Sequence, residues 1–136
     1  MPDDMGTFRT AIELAHPALP ERRTTLSNVL VDNGAELSWI PATTLEALGI
    51  ERKKIWHFRQ ADGTVLRRAI GYVVIHAAGT ETSEVVFGER GDLVLLGGRS
   101  LEGLNVRVEP VSKRLVDAGP VPAAAAARFP SLLLSR

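Results

Sequence analysis

Short apolar runs and extended segments, separated by closely spaced turns, make up most of the chain and are typical of β-strands. The first two predicted strands, residues 7–14 and 22–31, are joined by a turn at residues 17–20. Further strands are predicted at 37–40, 52–59, 64–76, 81–87, 93–96, 105–108 and 114–116. Short strands separated by closely spaced turns predict an all-β fold class, in the form of one small closed or sandwich-like domain.

Two short helices interrupt the strands. Thr43 and Glu46 have the spacing of a capping box, which predicts a helix with Thr43 as its N-cap. This helix should run to about Leu48 and end at Gly49. A second helix of one to two turns is predicted over residues 99–104.

Turn-forming residues mark a hairpin and the end of the domain. Asp62 and Gly63 lie between the predicted strands 52–59 and 64–76, and Asp-Gly tolerates the positive φ of a tight hairpin. From residue 118 the composition shifts to Pro and Ala. We therefore expect a domain over residues 1–117 and a tail over 118–136, either disordered or at an interface between subunits.

Composition narrows the classes of function. The 136 residues include 16 Lys or Arg and 16 Asp or Glu, and a net charge of zero argues against nucleic acid as a partner. The absence of cysteine excludes disulfides, thiolate nucleophiles, zinc fingers and Fe–S clusters. The acidic start at residues 1–4 runs into no apolar stretch, so we expect a cytoplasmic protein with no membrane partner.

Several residues that can carry chemistry have a plainer structural interpretation. His16, His57 and His76 show no metal-ligand spacing, and His57 is most simply a half-exposed strand residue. Gly97 and Gly98, followed by Arg99 and Ser100, offer backbone N–H groups and a cation to an anion, but glycines at a tight strand-to-helix turn explain them better.

Basic clusters occur at residues 52–54 and at Arg67–Arg68. In a chain of zero net charge they are most simply solvated strand edges.

The segment from Val31 to Ala35 allows two interpretations. Asn33-Gly34 between apolar alternating runs is a strong hairpin signal, so Asp32 is then an ordinary turn residue. The alternative is an active-site loop, which is favoured by a second feature downstream, Leu95-Leu96-Gly97 followed by a short helix.

The order of these motifs resembles the retropepsin-like aspartic proteases, and most closely their small bacterial single-domain members. The resemblance covers Thr7 to Val116. It is carried by the apolar strand with Asp32-Asn33-Gly34-Ala35, by the hairpin tip Ala61-Asp62-Gly63, and by Leu96-Gly97 before a helix.

The resemblance implies a small closed barrel of the acid-protease type and an aspartic endopeptidase that needs no metal or cofactor. It implies that Asp32 is catalytic, that Asn33, Gly34 and Ala35 shape the active-site loop, that residues 61–63 form a flap, and that Leu96 and Gly97 support the loop. Because two carboxylates must share one proton and the chain carries one such motif, the enzyme would be a homodimer. Its partners would be a second copy and a peptide or protein substrate.

Asn33 departs from the family pattern, in which Thr or Ser follows the catalytic aspartate. In the family that hydroxyl takes part in hydrogen bonds across the dimer axis, whereas the Asn33 amide is larger and planar. The sequence therefore leaves open a non-catalytic peptide-binding or dimerisation module on the same fold.

Overall fold

A computed structural model describes residues 7–124 of the protein. In that range the strands are β1 (Thr7–Ala15), β2 (Arg23–Asp32), β3 (Ser38–Pro41), β4 (Lys54–Arg59), β5 (Val65–His76), β6 (Thr80–Gly88), β7 (Leu95–Leu96), β8 (Val106–Glu109) and β9 (Arg114–Asp117). The helices are α1 (Ala42–Leu48) and α2 (Gly98–Leu104). The chain is mostly β, as its short strand-like segments and closely spaced turns predict.

Six strands pair into a ring in the order β1-β2-β7-β3-β6-β5, which closes because β5 also pairs with β1. β4 adds to the free half of β5 as a hairpin, and β8 and β9 form a separate two-stranded sheet. The two-residue strand β7 lies between β2 and β3, parallel to β2 and antiparallel to β3. This insertion places the segment after β7 beside the loop that joins β2 to β3.

The inside of the ring is the main hydrophobic core. Alternate residues of each strand point inward, which explains why Val29 and Val31 of β2 and Leu96 of β7 are fully buried. Helices α1 and α2 contribute Leu45, Leu48, Leu101 and Leu104 to the same cluster.

The intervening residues form the outer face of the sheet. Leu30, Leu95, Trp39, Val86 and Ile70 are successive partners in register across β2, β7, β3, β6 and β5. Because cross-strand partners share a face, these side chains lie on one surface. A second, smaller cluster forms there from Leu37, Ile70 and Val86, with Trp39, Trp56 and Phe58 packed against it.

Both helices occur where the sequence predicts them, but the first begins earlier. Pro41 is the N-cap of α1, with φ of −55°, and no side chain caps the helix, so the predicted Thr43–Glu46 capping box is wrong. Proline presets the backbone angle of the entering residue, which starts the helix before Thr43. Gly49 ends it in the left-handed conformation, as predicted.

Two predicted strands are shorter than expected. β4 begins at Lys54 rather than at residue 52, and β7 spans two residues rather than 93–96. Leu93 is 62% exposed and pairs with neither β2 nor β3. The Val94 carbonyl still accepts a hydrogen bond from the Leu30 N–H at 3.1 Å.

The first residues of the predicted tail are hydrogen-bonded to the domain. The Ala118 N–H donates to the Asn105 carbonyl at 2.9 Å, and the Asn105 amide donates to the Gly119 carbonyl at 3.0 Å. Residues 118–124 contain neither helix nor strand, and residues 125–136 of that prediction lie outside the described part.

Candidate active site

Asp32 is the last residue of β2 and is half-buried. Its Oδ1 accepts a hydrogen bond from the Gly34 N–H at 3.0 Å, and its carbonyl accepts one from the Ala35 N–H at 3.2 Å. A carboxylate that bonds to the backbone two residues on stabilises a tight turn. Asp32 lies two residues after Leu30 on the same strand, so its side chain is on the same outer face of the sheet.

The loop after Asp32 is bound to the start of α2. The Gly98 N–H donates to the Ala35 carbonyl at 2.6 Å, and the Arg99 N–H donates to the Glu36 carbonyl at 3.0 Å. Gly97 approaches so closely that an added Cβ would lie 2.5 Å from the Leu37 carbonyl oxygen. Asp32 through Ala35 and Leu96–Gly97 are therefore brought together, which a simple hairpin turn would not require.

Three buried serines connect this loop to the sheet. Ser100 Oγ of α2 lies 2.6 Å from Ser38 Oγ and 2.8 Å from Ser83 Oγ. Ser38 Oγ also accepts a hydrogen bond from the Gly97 N–H at 2.9 Å. The serines are at most 4% exposed, so their mutual hydrogen bonds satisfy polar groups that would otherwise destabilise the core.

Arg99 is occupied by ion pairs within the protein. Its guanidinium contacts Glu36 at 2.7 Å and Glu84 at 2.9 Å, which argues against the anion site considered for residues 97–100. A hydrogen bond from Lys54 lowers the pKa of Glu84, whose carboxylate therefore stays ionised between the two cations. The network couples the loop after Asp32 to β4 and β6.

A groove of about 400 Å³ lies on the outer face of the sheet, and Asp32 is not among the residues that line it. Leu95 and Trp39 form its floor, and Leu95 is in register with Leu30, two residues before Asp32. The β4–β5 hairpin forms one wall and the loop before β7 forms the other. The wall residues are Phe58, Arg59, Gln60 and Leu66 from the hairpin, and Gly91, Asp92 and Leu93 from the loop. The groove is largely apolar, with polar groups at its rim.

The predicted hairpin tip at Ala61, Asp62 and Gly63 exists and is exposed. Asp62 Oδ1 accepts hydrogen bonds from the Thr64 N–H and hydroxyl at 2.9 and 2.7 Å, and these bonds lower the pKa of Asp62. Gly63 has φ of +91°, which the Asp-Gly signal anticipates. The side-chain hydrogen bonds of Asp62 lie within its own turn.

Arg68 is not the solvated strand residue that its sequence suggests. Its side chain is 12% exposed, and its Nε and Nη2 bind the two carboxylate oxygens of Asp92 at 2.7 and 3.0 Å. Arg67, one residue earlier, points the other way and is exposed. The sequence carries no signal that distinguishes the two arginines, because the partner lies on a distant loop.

We expect the Arg68–Asp92 pair to make stability depend on pH. Hydrogen bonds from Arg68 lower the pKa of Asp92 in the folded state. The ionised Asp92 therefore adds its full contribution to the free energy of unfolding when the pH is above the pKa of Asp92 in the unfolded chain. This contribution is lost as the pH falls through the pKa of Asp92 in the folded protein. The difference in unfolding free energy between the wild type and Asp92→Asn should therefore narrow as pH falls from about 5 to about 2. Urea unfolding at several pH values measures this. The exposed Glu21→Gln is the control, and a pH-independent difference for Asp92→Asn would contradict the prediction.

The histidines do not assemble a metal site. His16 Nδ1 accepts hydrogen bonds from the backbone N–H groups of Ala18 and Leu19. His76 Nδ1 lies 3.0 Å from the Thr80 hydroxyl, and His57 is exposed. Among residues 7–124, no group of three His, Asp or Glu side chains is placed to hold a metal ion.

Over the same described range, no helix is long and apolar enough to cross a membrane.

Asn33 is exposed beside Asp32. Within residues 7–124 its side chain makes no hydrogen bond, and it lines a second groove of about 440 Å³ with Gly98, Leu101, Val106 and Val108. An amide in this position is accessible to a partner from outside the chain.

Comparison with models of known protein families gives no match, and neither does comparison with curated proteins. The function must therefore be argued from the chemistry and geometry of the site itself.

Proposed function

We propose that this protein is a homodimeric aspartic endopeptidase of the retropepsin type, in which Asp32 of each subunit supplies one catalytic carboxylate. The observation that carries the proposal is the environment of Asp32. A half-buried carboxylate ends β2, whose neighbour β7 contributes Leu95 to the floor of an apolar groove. The loop that follows the carboxylate is braced by the segment after β7. In this proposal the closed ring of strands is a barrel of the acid-protease type.

The proposed chemistry requires two carboxylates about 3 Å apart that share one proton. The ionised aspartate accepts a proton from a water molecule as that water attacks the scissile carbonyl. The protonated partner polarises the carbonyl oxygen and later donates its proton to the leaving amine, so the two aspartates exchange protonation states in one turnover. Asp62 and Asp92 are both engaged, by Thr64 and by Arg68 respectively, so the second carboxylate is best supplied by a symmetry-related Asp32.

The apolar groove on the outer face of the sheet supports an extended peptide as the substrate. Its floor and walls offer Trp39, Phe58, Leu66 and Leu95 to an apolar side chain. Strand edges and hairpins bind extended peptides through backbone hydrogen bonds, while pockets select alternate side chains. We therefore expect cleavage beside apolar residues.

The direct test incubates the purified full chain with a mixture of unstructured peptides at several pH values. Mass spectrometry then identifies any cleaved bond. Cleavage inside peptides, beside apolar residues and insensitive to metal chelators, supports the proposal. Intact peptides at every pH tested would overturn it.

A non-catalytic peptide-binding or dimerisation module is the second candidate, and Asn33 is the observation that favours it. The family hydroxyl is replaced by an exposed amide with no hydrogen-bond partner inside the described chain. This candidate predicts a stable complex with an apolar peptide and no turnover. Titration of the same peptides, followed by mass spectrometry of the mixture, separates the two candidates.

Mixing wild-type protein with an excess of Asp32→Asn should suppress activity if the site is shared between subunits. With a fivefold excess of the variant and free exchange, about one wild-type chain in six retains a wild-type partner, so activity per wild-type chain should fall about sixfold. Initial rates after equilibration measure this. In the control the added chain is the exposed Glu21→Gln, which keeps Asp32, so the total rate should rise with the total chain concentration. Activity that depends on wild-type concentration alone would show that each subunit works by itself.

A further inference from the structure

The two walls of the groove belong to segments far apart in sequence, and ion pairs from Arg68 join them, a close one to Asp92 and a longer one of 3.6 Å to the exposed Glu89. Arg68 lies on β5, on the same face as the wall residue Leu66. Asp92 lies in the loop before β7, and its neighbours Gly91 and Leu93 line the opposite wall. The two-point contact between Arg68 and Asp92 therefore spans from one wall to the other.

The loop wall has little else in the core to position it. Leu93 is 62% exposed, and Gly91 has φ of +93° in an open turn. Asp92 closes this turn, because its Oδ2 accepts the Glu89 N–H at 2.7 Å while its own N–H donates to the Glu89 carbonyl at 2.9 Å. These two hydrogen bonds close the turn, and Arg68 binds it to the hairpin.

Both side chains are only 12% exposed, which makes the pair an effective constraint. A two-point contact between a guanidinium and a carboxylate fixes orientation as well as distance. Lysine in place of Arg68 would keep the charge and lose the second contact.

We propose that the Arg68–Asp92 pair is a strap that sets the width of this groove and thereby its selectivity for apolar side chains. The identity of the ligand as an extended peptide rests on the proposed function. Arg68 and Asp92 are positioning residues, because they act through the wall residues on either side of them. When the groove is preformed, binding of a side chain does not have to order the groove walls, which would cost free energy. Removing the Arg68–Asp92 contact should therefore weaken the binding of side chains that fill the groove more than the binding of small ones.

The test measures binding separately from cleavage. The chain has two tryptophans, and Trp56→Phe leaves Trp39, on the groove floor, as the fluorescent reporter. Adding Asp32→Asn prevents turnover in this background. The probes are a blocked heptapeptide with two central leucines and its analogue with two central alanines.

With Arg68→Met, we expect Kd for the leucine peptide to rise about tenfold and Kd for the alanine peptide to change by less than about twofold. Arg68→Lys should give an intermediate value. Arg23→Met, which removes an exposed ion pair with Glu13, is the matched control and should leave both values unchanged.

A double variant separates positioning from stability. Arg68→Met with Asp92→Asn leaves no uncompensated buried charge and keeps an oxygen to accept the Glu89 N–H, so it should recover stability lost in Arg68→Met. The proposal predicts that leucine selectivity stays low in the double variant. Recovery of selectivity together with stability would overturn it.

The outcomes for the strap and for the protease are distinguishable. Unchanged leucine selectivity in Arg68→Met, or no binding of the leucine peptide to the background variant, overturns the strap. If peptides bind selectively but the wild type cleaves none of them, the protease proposal fails and the strap stands. In an active enzyme, Arg68→Met should raise KM for the leucine peptide and leave kcat nearly unchanged.

Discussion

Replacing Asp32 with asparagine is expected to lower kcat for peptide hydrolysis by at least about a thousandfold. In the proposed mechanism the two Asp32 carboxyls share one proton, and a neutral amide can neither accept the proton from water nor return it. Binding of the peptide should persist, because the groove that holds its side chains is built by other residues. Steady-state kinetics with a cleavable peptide, together with its Kd, measures both effects.

Asparagine is the informative substitution because it preserves the turn. Its Oδ1 can accept the Gly34 N–H as the aspartate does, so the loop should keep its form. Far-UV circular dichroism and urea unfolding check that the variant is folded. The exposed Glu21→Gln, outside every segment of the proposed site, is the control, and it should change kcat by less than about threefold. A folded Asp32→Asn that still cleaves peptides would remove Asp32 from the mechanism.

Local signals predicted the turns and hairpins of this chain well. The Asp62–Gly63 turn, the Gly49 helix end and the alternation of β2 are each determined by residues within a few positions of one another. Such features depend on backbone preferences and on the period of burial, both of which are visible in sequence. The start of α1 is missed because Pro41 and the Thr43–Glu46 pair compete for the same helix end.

The contacts that shape the candidate site are less visible, because they are non-local. Ser38, Ser83 and Ser100 come from three separate elements and give no signal until the ring forms. Arg68 gains its partner when the loop before β7 reaches the hairpin. Asp32 itself was identified by its motif, whereas the bracing of its loop depends on the insertion of β7 between two other strands.

Replacing Gly97 with alanine is expected to lower the free energy of unfolding by about 3 kcal/mol or more, near the upper end for overpacked sites. An added Cβ would lie 2.5 Å from the Leu37 oxygen, 2.7 Å from the Leu37 carbonyl carbon and 3.0 Å from the Ala35 oxygen. These are backbone atoms, so no rotamer change relieves the contact. Gly97 must move away from Leu37, which disrupts its hydrogen bond to Ser38, or the loop after Asp32 must move.

Gly98→Ala is the matched control. A Cβ added at Gly98 would lie 3.2 Å from the backbone carbonyl oxygen of Asn33 and 3.3 Å from that of Ala35. A shift of a few tenths of an ångström accommodates that Cβ, and alanine favours the helix by up to about 1 kcal/mol over glycine. Urea unfolding of both variants measures the contrast. Equal stabilities would show that the Asp32 loop yields easily and is not braced. A large loss at Gly97 alone, with activity lost in the fraction that stays folded, would show that the close approach of these two segments holds the catalytic carboxylate in place.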